Sequence, residues 1–109
     1  MITEYTTRDC KYGEAPPWQK IKPGEMLVLL DENGVVAAVD FHCPCGCGSD
    51  CYTPVTDATK GQAKTERHWL YSRGPNGVTL TPSIRYTSGC RAHFNITDGK
   101  VIVHGDSGK

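Results

Sequence analysis

The chain has 109 residues, and its 12 Lys and Arg residues balance its 12 Asp and Glu residues, so the formal net charge is zero. A chain of this length forms one domain with a limited hydrophobic core. A neutral charge balance and the absence of an apolar run of about 20 residues argue against nucleic acid and membranes as partners. The N-terminal residues lack the basic and apolar regions of a signal peptide, so we expect a cytoplasmic protein with reduced thiols.

The first 20 residues differ in composition from the rest of the chain. They are polar and contain Pro16-Pro17, which predicts an irregular N-terminal arm over residues 1–20. We expect residues 21–109 to form a single domain.

Apolar runs separated by glycine-containing turns fill most of this domain. Asn33-Gly34 is a strong hairpin signal because both residues tolerate positive φ. Residues 56–66 are polar and do not alternate, which predicts a loop. Because no stretch has an apolar period of 3.6 residues, we predict an all-β fold, a small antiparallel barrel or sandwich of hairpins. Its predicted strands cover residues 25–30, 35–41, 67–73, 78–81, 92–96 and 100–104.

Two short motifs carry side chains that bind metals. Cys43, Cys45 and Cys47 lie within five residues, and a Cys-x-x-His motif follows at Cys90 and His93. Thiolates and neutral imidazole are ligands of Zn²⁺ and of iron–sulfur clusters. The first motif follows a predicted strand and the second precedes one, so antiparallel pairing can bring both loops together. The sequence therefore predicts a metal site at one end of the β domain.

Six cysteines in a short chain also suit a disulfide framework. The three clustered cysteines are too close together to pair with one another, so they would need the other three, Cys10, Cys51 and Cys90. The absence of a secretion signal and the Cys-x-x-His motif favour a metal. We expect Cys51 to be a buried apolar residue rather than a ligand.

Parts of the chain resemble a Rieske-type ferredoxin domain. The resemblance lies in Pro23-Gly24-Glu25, His42-Cys43-Pro44, Cys90-Arg91-Ala92-His93-Phe94 and the hairpin that follows. That family carries Cys-x-His in its first loop and Cys-x-x-His in its second, which implies ligand roles for Cys43, Cys90 and His93. Cys45 stands where the first histidine of the family would be. This difference favours a structural zinc over a [2Fe–2S] cluster.

The chain also resembles an uncharacterised family of small bacterial and phage metal-binding proteins. The shared pattern is Cys43-Pro44-Cys45-Gly46-Cys47-Gly48, Pro82-Ser83-Ile84 and Cys90-Arg91-Ala92-His93-Phe94. Some members accompany bacterial ubiquitin-like conjugation genes, so the resemblance implies a link to protein modification. It implies a fold and a metal but no reaction.

Two sets of four ligands are compatible with these patterns. One consists of Cys43, Cys45, Cys90 and His93, and the other replaces Cys45 with Cys47, which the second family pattern favours. A closed Cys₃His site is tetrahedral and leaves no position for water, so it suits a structural role. We therefore expect a Rieske-like or zinc-ribbon-like, non-enzymatic module that binds zinc and a protein partner. A [2Fe–2S] electron-transfer protein is the alternative.

Ser83 is the remaining residue with a chemically reactive side chain in a shared motif. The sequence shows no His or Asp partner for it, and Pro82-Ser83-Ile84 lacks the context of a nucleophile elbow. We therefore interpret Ser83 as part of a turn or strand edge and expect no catalytic residue.

Overall fold

One curled β-sheet makes up the fold in a computed structural model that describes residues 1–62 and 67–109. The described residues form eight strands that are neighbours in chain order: β1 (Thr6–Lys11), β2 (Glu25–Leu30), β3 (Val36–Phe41), β4 (Thr53–Asp57), β5 (Trp69–Gly74), β6 (Gly77–Arg85), β7 (His93–Thr97) and β8 (Lys100–Val103). Short 3₁₀ turns cover Tyr12–Glu14, Trp18–Lys20 and Ala58–Lys60. The prediction of an all-β fold is confirmed. Within the described ranges, no helix has the length and apolar character needed to cross a membrane.

The pairing of the strands is mostly antiparallel. The pairs β1–β2 and β4–β5 are parallel, and the other neighbours are antiparallel. Residues just before β1 pair with the outer edge of β8, because Tyr5 N–H donates to Gly99 O (2.7 Å) and Val101 N–H donates to Thr3 O (2.8 Å). The curled sheet therefore has its first and last strands joined through the N-terminal residues.

The main core lies inside the curled sheet, and a smaller buried cluster lies on the opposite face of β2 and β3. Phe41 contacts Tyr5 edge to face, with ring centroids 5.0 Å apart, and contacts Phe94 with centroids 6.4 Å apart. Burying an aromatic side chain of this size contributes roughly 1.5–3 kcal/mol. In β7, Phe94 and Ile96 are buried, whereas His93 and Asn95 are only partly buried. The alternation of β7 therefore turns His93 towards the outer face.

Strand β1 lies inside the segment that we predicted to be an irregular arm. Its residues pair in parallel with β2, from Thr6 opposite Glu25 to Lys11 opposite Leu30. Almost all of its side chains are exposed, so it has no apolar alternation. The strand is stabilised by backbone pairing with a buried neighbour, which composition does not reveal.

The predicted loop over residues 56–66 differs in part from the structure. Thr56 and Asp57 end β4, and both are buried. The Asp57 carboxylate accepts hydrogen bonds from Val36 N–H (3.0 Å) and Thr59 N–H (3.0 Å), so its charge is satisfied inside the fold. The next residues fit the prediction, because a short 3₁₀ turn covers Ala58–Lys60 and no strand covers residues 61–62, whereas residues 63–66 lie outside the described residues.

Candidate functional site

Four cysteines converge beside the end of β3 and the start of β7. We call Cys43, Cys45, Cys47 and Cys90 the cysteine cluster, and their sulfur atoms all lie within 4.8 Å of one another. Cys43 Sγ is 3.4 Å from Cys45 Sγ and 3.7 Å from Cys90 Sγ. Four thiolates at about 2.3 Å from one zinc ion are roughly 3.8 Å apart in a tetrahedron. The group therefore fits a single metal ion, and neither Cys45 nor Cys47 is left outside it.

The loop that carries three of these cysteines is folded tightly around them. Gly46 N–H donates to Cys43 O (3.1 Å), and Cys43 N–H donates to Ser49 O (2.9 Å). Gly46 has a φ of 90°, a backbone conformation that residues with a Cβ rarely adopt. A bridge between His42 and Asp50 closes the base of the loop.

The thiols of the cluster differ in their surroundings. Cys43 is buried, and its burial raises its pKa, while partial burial also raises the pKa of Cys45. Hydrogen bonds from the Ser49 hydroxyl and backbone N–H lower the pKa of Cys47 to about 6. A coordinated metal deprotonates a thiol outright, so binding would convert the buried Cys43 into a thiolate.

The other cysteines do not join the cluster. All six cysteines of the chain are free thiols. Cys51 is buried in the core, which confirms its interpretation as an apolar residue, and burial raises its pKa to about 11. Cys10 is partly buried in β1.

His93, which the sequence assigned to the metal, has other partners in the structure. Its Nε2 lies 3.1 Å from Ser83 Oγ, and its Nδ1 lies 2.7 Å from Asp106 Oδ1. Both ring nitrogens are therefore occupied, and His93 is not among the residues grouped with the cysteines. We call Ser83, His93 and Asp106 the triad.

An irregularity in β6 presents the serine of the triad. Residues 81–83 of β6 face the single residue Asn95 of β7, because the register shifts between Leu80 and Ile84. An insertion of this kind bends a strand and re-aims its side chains. The Ser83 carbonyl accepts a hydrogen bond from Trp69 Nε1 (3.4 Å), which links the irregular segment to β5.

Two contacts hold His93 in place, one to its backbone and one to a face of its ring. His93 N–H donates to Ser107 Oγ (3.0 Å) in the turn after β8. The His104 ring stacks on the His93 ring, with centroids 3.9 Å apart and planes 9° apart. His104 is itself held by a hydrogen bond between its Nε2 and Asn95 Oδ1. The ring of His93 therefore has little freedom to rotate away from Ser83.

Asp106 lies in the turn after β8, and its side chain is about half exposed. The hydrogen bond from His93 is the main cause that lowers the pKa of Asp106, and the positive charge of Arg85 lowers it further. Asp106 Oδ2 lies 3.0 Å from Arg85 Nη1. The carboxylate therefore stays ionised beside His93 at neutral pH.

A serine, a histidine and an aspartate linked in this order can activate a hydroxyl for attack on a carbonyl group. Sequence reasoning missed Ser83 as a partner of His93, and it missed Asp106 altogether. The one available signal was the alternation of β7, which sets His93 on the face opposite to Phe94.

The chain matches the family model BubE, described as "Bacterial ubiquitination-like system serine protease", over residues 12–104. The match spans most of the chain and includes the cysteine cluster, Ser83 and His93, so the chain belongs to this family. The implied link to bacterial ubiquitin-like conjugation is confirmed at the level of the family, and the Rieske-like organisation stays a prediction. No curated protein and no solved structure matched the chain.

Proposed function

We propose that this member of the BubE family is a serine protease of a bacterial ubiquitination-like system. In this proposal Ser83 is the nucleophile, His93 the general base and Asp106 the residue that orients the base. The main support for the proposal is a pair of hydrogen-bond contacts, between Ser83 Oγ and His93 Nε2 and between His93 Nδ1 and Asp106 Oδ1. The description of the family supports the same class of reaction.

The contacts of His93 define which tautomer acts in this mechanism. Asp106 accepts the Nδ1–H hydrogen bond, which leaves the Nε2 lone pair facing the hydroxyl of Ser83. Stacking against His104 keeps the ring in this orientation. The resting site is therefore ready to take a proton from Ser83.

The reaction then follows as acyl transfer in two stages. Ser83 Oγ attacks the substrate carbonyl carbon while its proton passes to His93 Nε2, and Asp106 stabilises the resulting imidazolium. His93 gives the proton to the leaving group as its bond to the carbonyl carbon breaks, which leaves an acyl-enzyme. Water, deprotonated by His93, attacks the acyl-enzyme, and Ser83 regains its proton as the acid is released.

The substrate that fits the family description is a ubiquitin-like protein or one of its conjugates. This proposal keeps the protein partner expected from the sequence, but it makes that partner a substrate rather than the ligand of a non-enzymatic module. Both peptide bonds and esters have the acyl carbon on which the mechanism depends.

We further propose that the cysteine cluster holds a structural zinc ion. Four thiolates complete a tetrahedral site, leave no position for water and so favour a structural role. A [2Fe–2S] centre accepts the same ligands but divides them between two irons, whereas these sulfur atoms are all mutually close. The proposed ligand set is therefore four cysteines, in place of the Cys₃His set, with His93 reserved for the triad.

The test of the proposed protease is labelling by a fluorophosphonate probe, which reacts with activated serines. We expect the wild type to be labelled and Ser83→Ala to remain unlabelled. Ser72→Ala, at an exposed serine of β5, is the matched control and should be labelled like the wild type. Both variants should melt within a few degrees of the wild type, since neither serine is in the core.

A second arm uses protein substrates. The protein is incubated with a ubiquitin-like protein of the system that carries a C-terminal extension, and separately with its conjugates. The masses of the products are measured by mass spectrometry. We expect cleavage by the wild type and Ser72→Ala only. Equal labelling or equal cleavage by Ser83→Ala would contradict the proposal.

A further inference from the structure

The carboxylate of the triad is about half exposed to solvent. The side chain of Asp106 is 45% exposed and belongs to a turn rather than to a strand. Water competes for the oxygens of such a carboxylate, and an exposed side chain has several rotamers available. A working catalytic group must stay within about 0.5 Å of its productive position. Some contact must therefore restrict Asp106.

The two oxygens of Asp106 are shared between two partners. Oδ1 lies 2.7 Å from His93 Nδ1, and Oδ2 lies 3.0 Å from Arg85 Nη1. With one oxygen held by the guanidinium, the plane of the carboxylate is fixed as it meets the imidazole. Arg85 is the register partner of His93 and lies two residues after Ser83. The strand that carries the nucleophile thus also carries the residue that holds the carboxylate.

We propose that Arg85 is a positioning residue that orients Asp106 for its hydrogen bond with His93. The inference rests on the proposed protease function. The Arg85 side chain is 53% exposed, and an exposed ion pair contributes little to folding stability because both charges remain solvated. The effect of Arg85 therefore lies in the rate of the reaction and not in the melting temperature.

Salt provides a readout that a purely structural role would not change. The attraction between exposed charges is screened, and the Debye length falls from about 10 Å at 0.1 M to about 3 Å at 1 M salt. A pair that orients Asp106 loosens as salt rises, so the labelling rate of Ser83 in the wild type should fall. A variant without the guanidinium should be slow at all salt concentrations.

The experiment measures the rate at which a fluorophosphonate labels Ser83 in full-length protein. We expect Arg85→Met to react roughly 10- to 100-fold more slowly, because a small misplacement of catalytic groups has an effect of this size. Arg85→Lys should recover most of the rate, since an ammonium group can still pair with Asp106. The matched control is Arg8→Met, which removes an equally exposed arginine paired with Glu25 at 3.5 Å. It should react at the wild-type rate.

The outcomes separate this inference from the proposed function. Labelling of Arg85→Met at the wild-type rate would overturn the role of Arg85, and so would a wild-type rate that is independent of salt. Equal losses in Arg85→Met and Arg85→Lys, with lowered melting temperatures, would assign Arg85 to the fold and also overturn it. The salt series uses the wild type alone, so a rate that does not depend on salt would still overturn the inference if a variant fails to fold. A wild type that is never labelled would instead remove the protease function itself.

Discussion

The cysteine cluster and the triad are neighbours in the chain, but they are assembled in opposite ways. Three of the four cysteines come from one short loop, and only Cys90 joins them from a distance. The triad takes one residue from β6, one from β7 and one from the turn after β8. The cluster therefore depends mainly on one loop, whereas the triad depends on the pairing of β6, β7 and β8.

The four residues from Cys90 to His93 join the two regions. Arg91 O accepts a hydrogen bond from Gly108 N–H (2.8 Å), so the turn that carries Asp106 is attached to the same segment. Two members of the triad are thus held by residues next to a proposed metal ligand. Loss of the metal should disturb the triad, whereas loss of a triad side chain should leave the metal in place. The predictions below test this asymmetry.

The largest effect is expected from removal of the metal. Purified protein should be colourless and contain about one zinc per chain, since the cluster offers a single tetrahedral site. Chelation, or Cys90→Ser, should unfold the domain or lower its melting temperature strongly, because zinc binding in small domains contributes about 10–16 kcal/mol. Fluorophosphonate labelling of Ser83 should be lost as well. Elemental analysis, a visible spectrum and thermal melts measure these outcomes.

Cys10→Ser is the matched control for this prediction, because Cys10 is a free cysteine outside the cluster. It should keep its zinc, its melting temperature and its labelling. A red-brown protein with visible absorption would indicate a [2Fe–2S] centre instead. Metal-free protein that melts and reacts like the wild type would show that the cluster does not support the triad.

The second prediction concerns His93, for which the sequence and the structure indicate different roles. His93→Gln should lower the labelling rate by about 10³-fold or more, because a triad works as a unit. It should keep about one zinc per chain, since four cysteines complete the site without it. His68→Gln, at a partly buried histidine that contacts Thr56, is the control and should change neither quantity. Loss of zinc from His93→Gln would restore the Cys₃His ligand set.

The different construction of the two regions explains what could be predicted from the sequence. The spacing of Cys43, Cys45 and Cys47 is local, so a candidate metal site could be predicted without knowledge of the fold. The hairpin around Asn33-Gly34 could also be predicted from local sequence, and β2 (Glu25–Leu30) has the predicted bounds. Local patterns carry enough information where the interacting residues are close in the chain.

The triad could not be predicted because its geometry depends on an irregular register. The register changes between the pair Leu80–Ile96 and the pair Ile84–Phe94, so that three residues of β6 face the single residue Asn95, and a bulge leaves little trace in a single sequence. Asp106 lies in a polar turn with no periodic pattern. Its role depends on hydrogen bonds that attach this turn to the segment before β7, such as the one from Gly108 to Arg91.

The smallest effect is expected at the base of the cysteine loop, where two carboxyl groups meet. Asp40 Oδ1 is buried without a hydrogen-bond partner among the described residues. Burial and interaction with the neighbouring Asp50 carboxyl group raise the pKa of Asp40 to about 7. The folded chain therefore binds more protons than the unfolded chain between about pH 4 and pH 7, and the free energy of unfolding falls as pH rises through this interval.

Asp40→Asn removes this ionisation and should stabilise the fold above pH 7. We expect about 1 kcal/mol, a value discounted because the carboxyl group is partly exposed, which corresponds to a melting temperature roughly 4 °C higher at pH 8. At pH 4 the wild type already carries a mostly protonated Asp40, so the difference should nearly vanish. The labelling rate should not change, because Asp40 lies at the base of the cysteine loop and is distant in the chain from Cys90 and from the residues of the triad. An equal shift of the melting temperature at both pH values would exclude ionisation as the cause. A slower labelling rate would show that a change at the base of the cysteine loop also affects the triad.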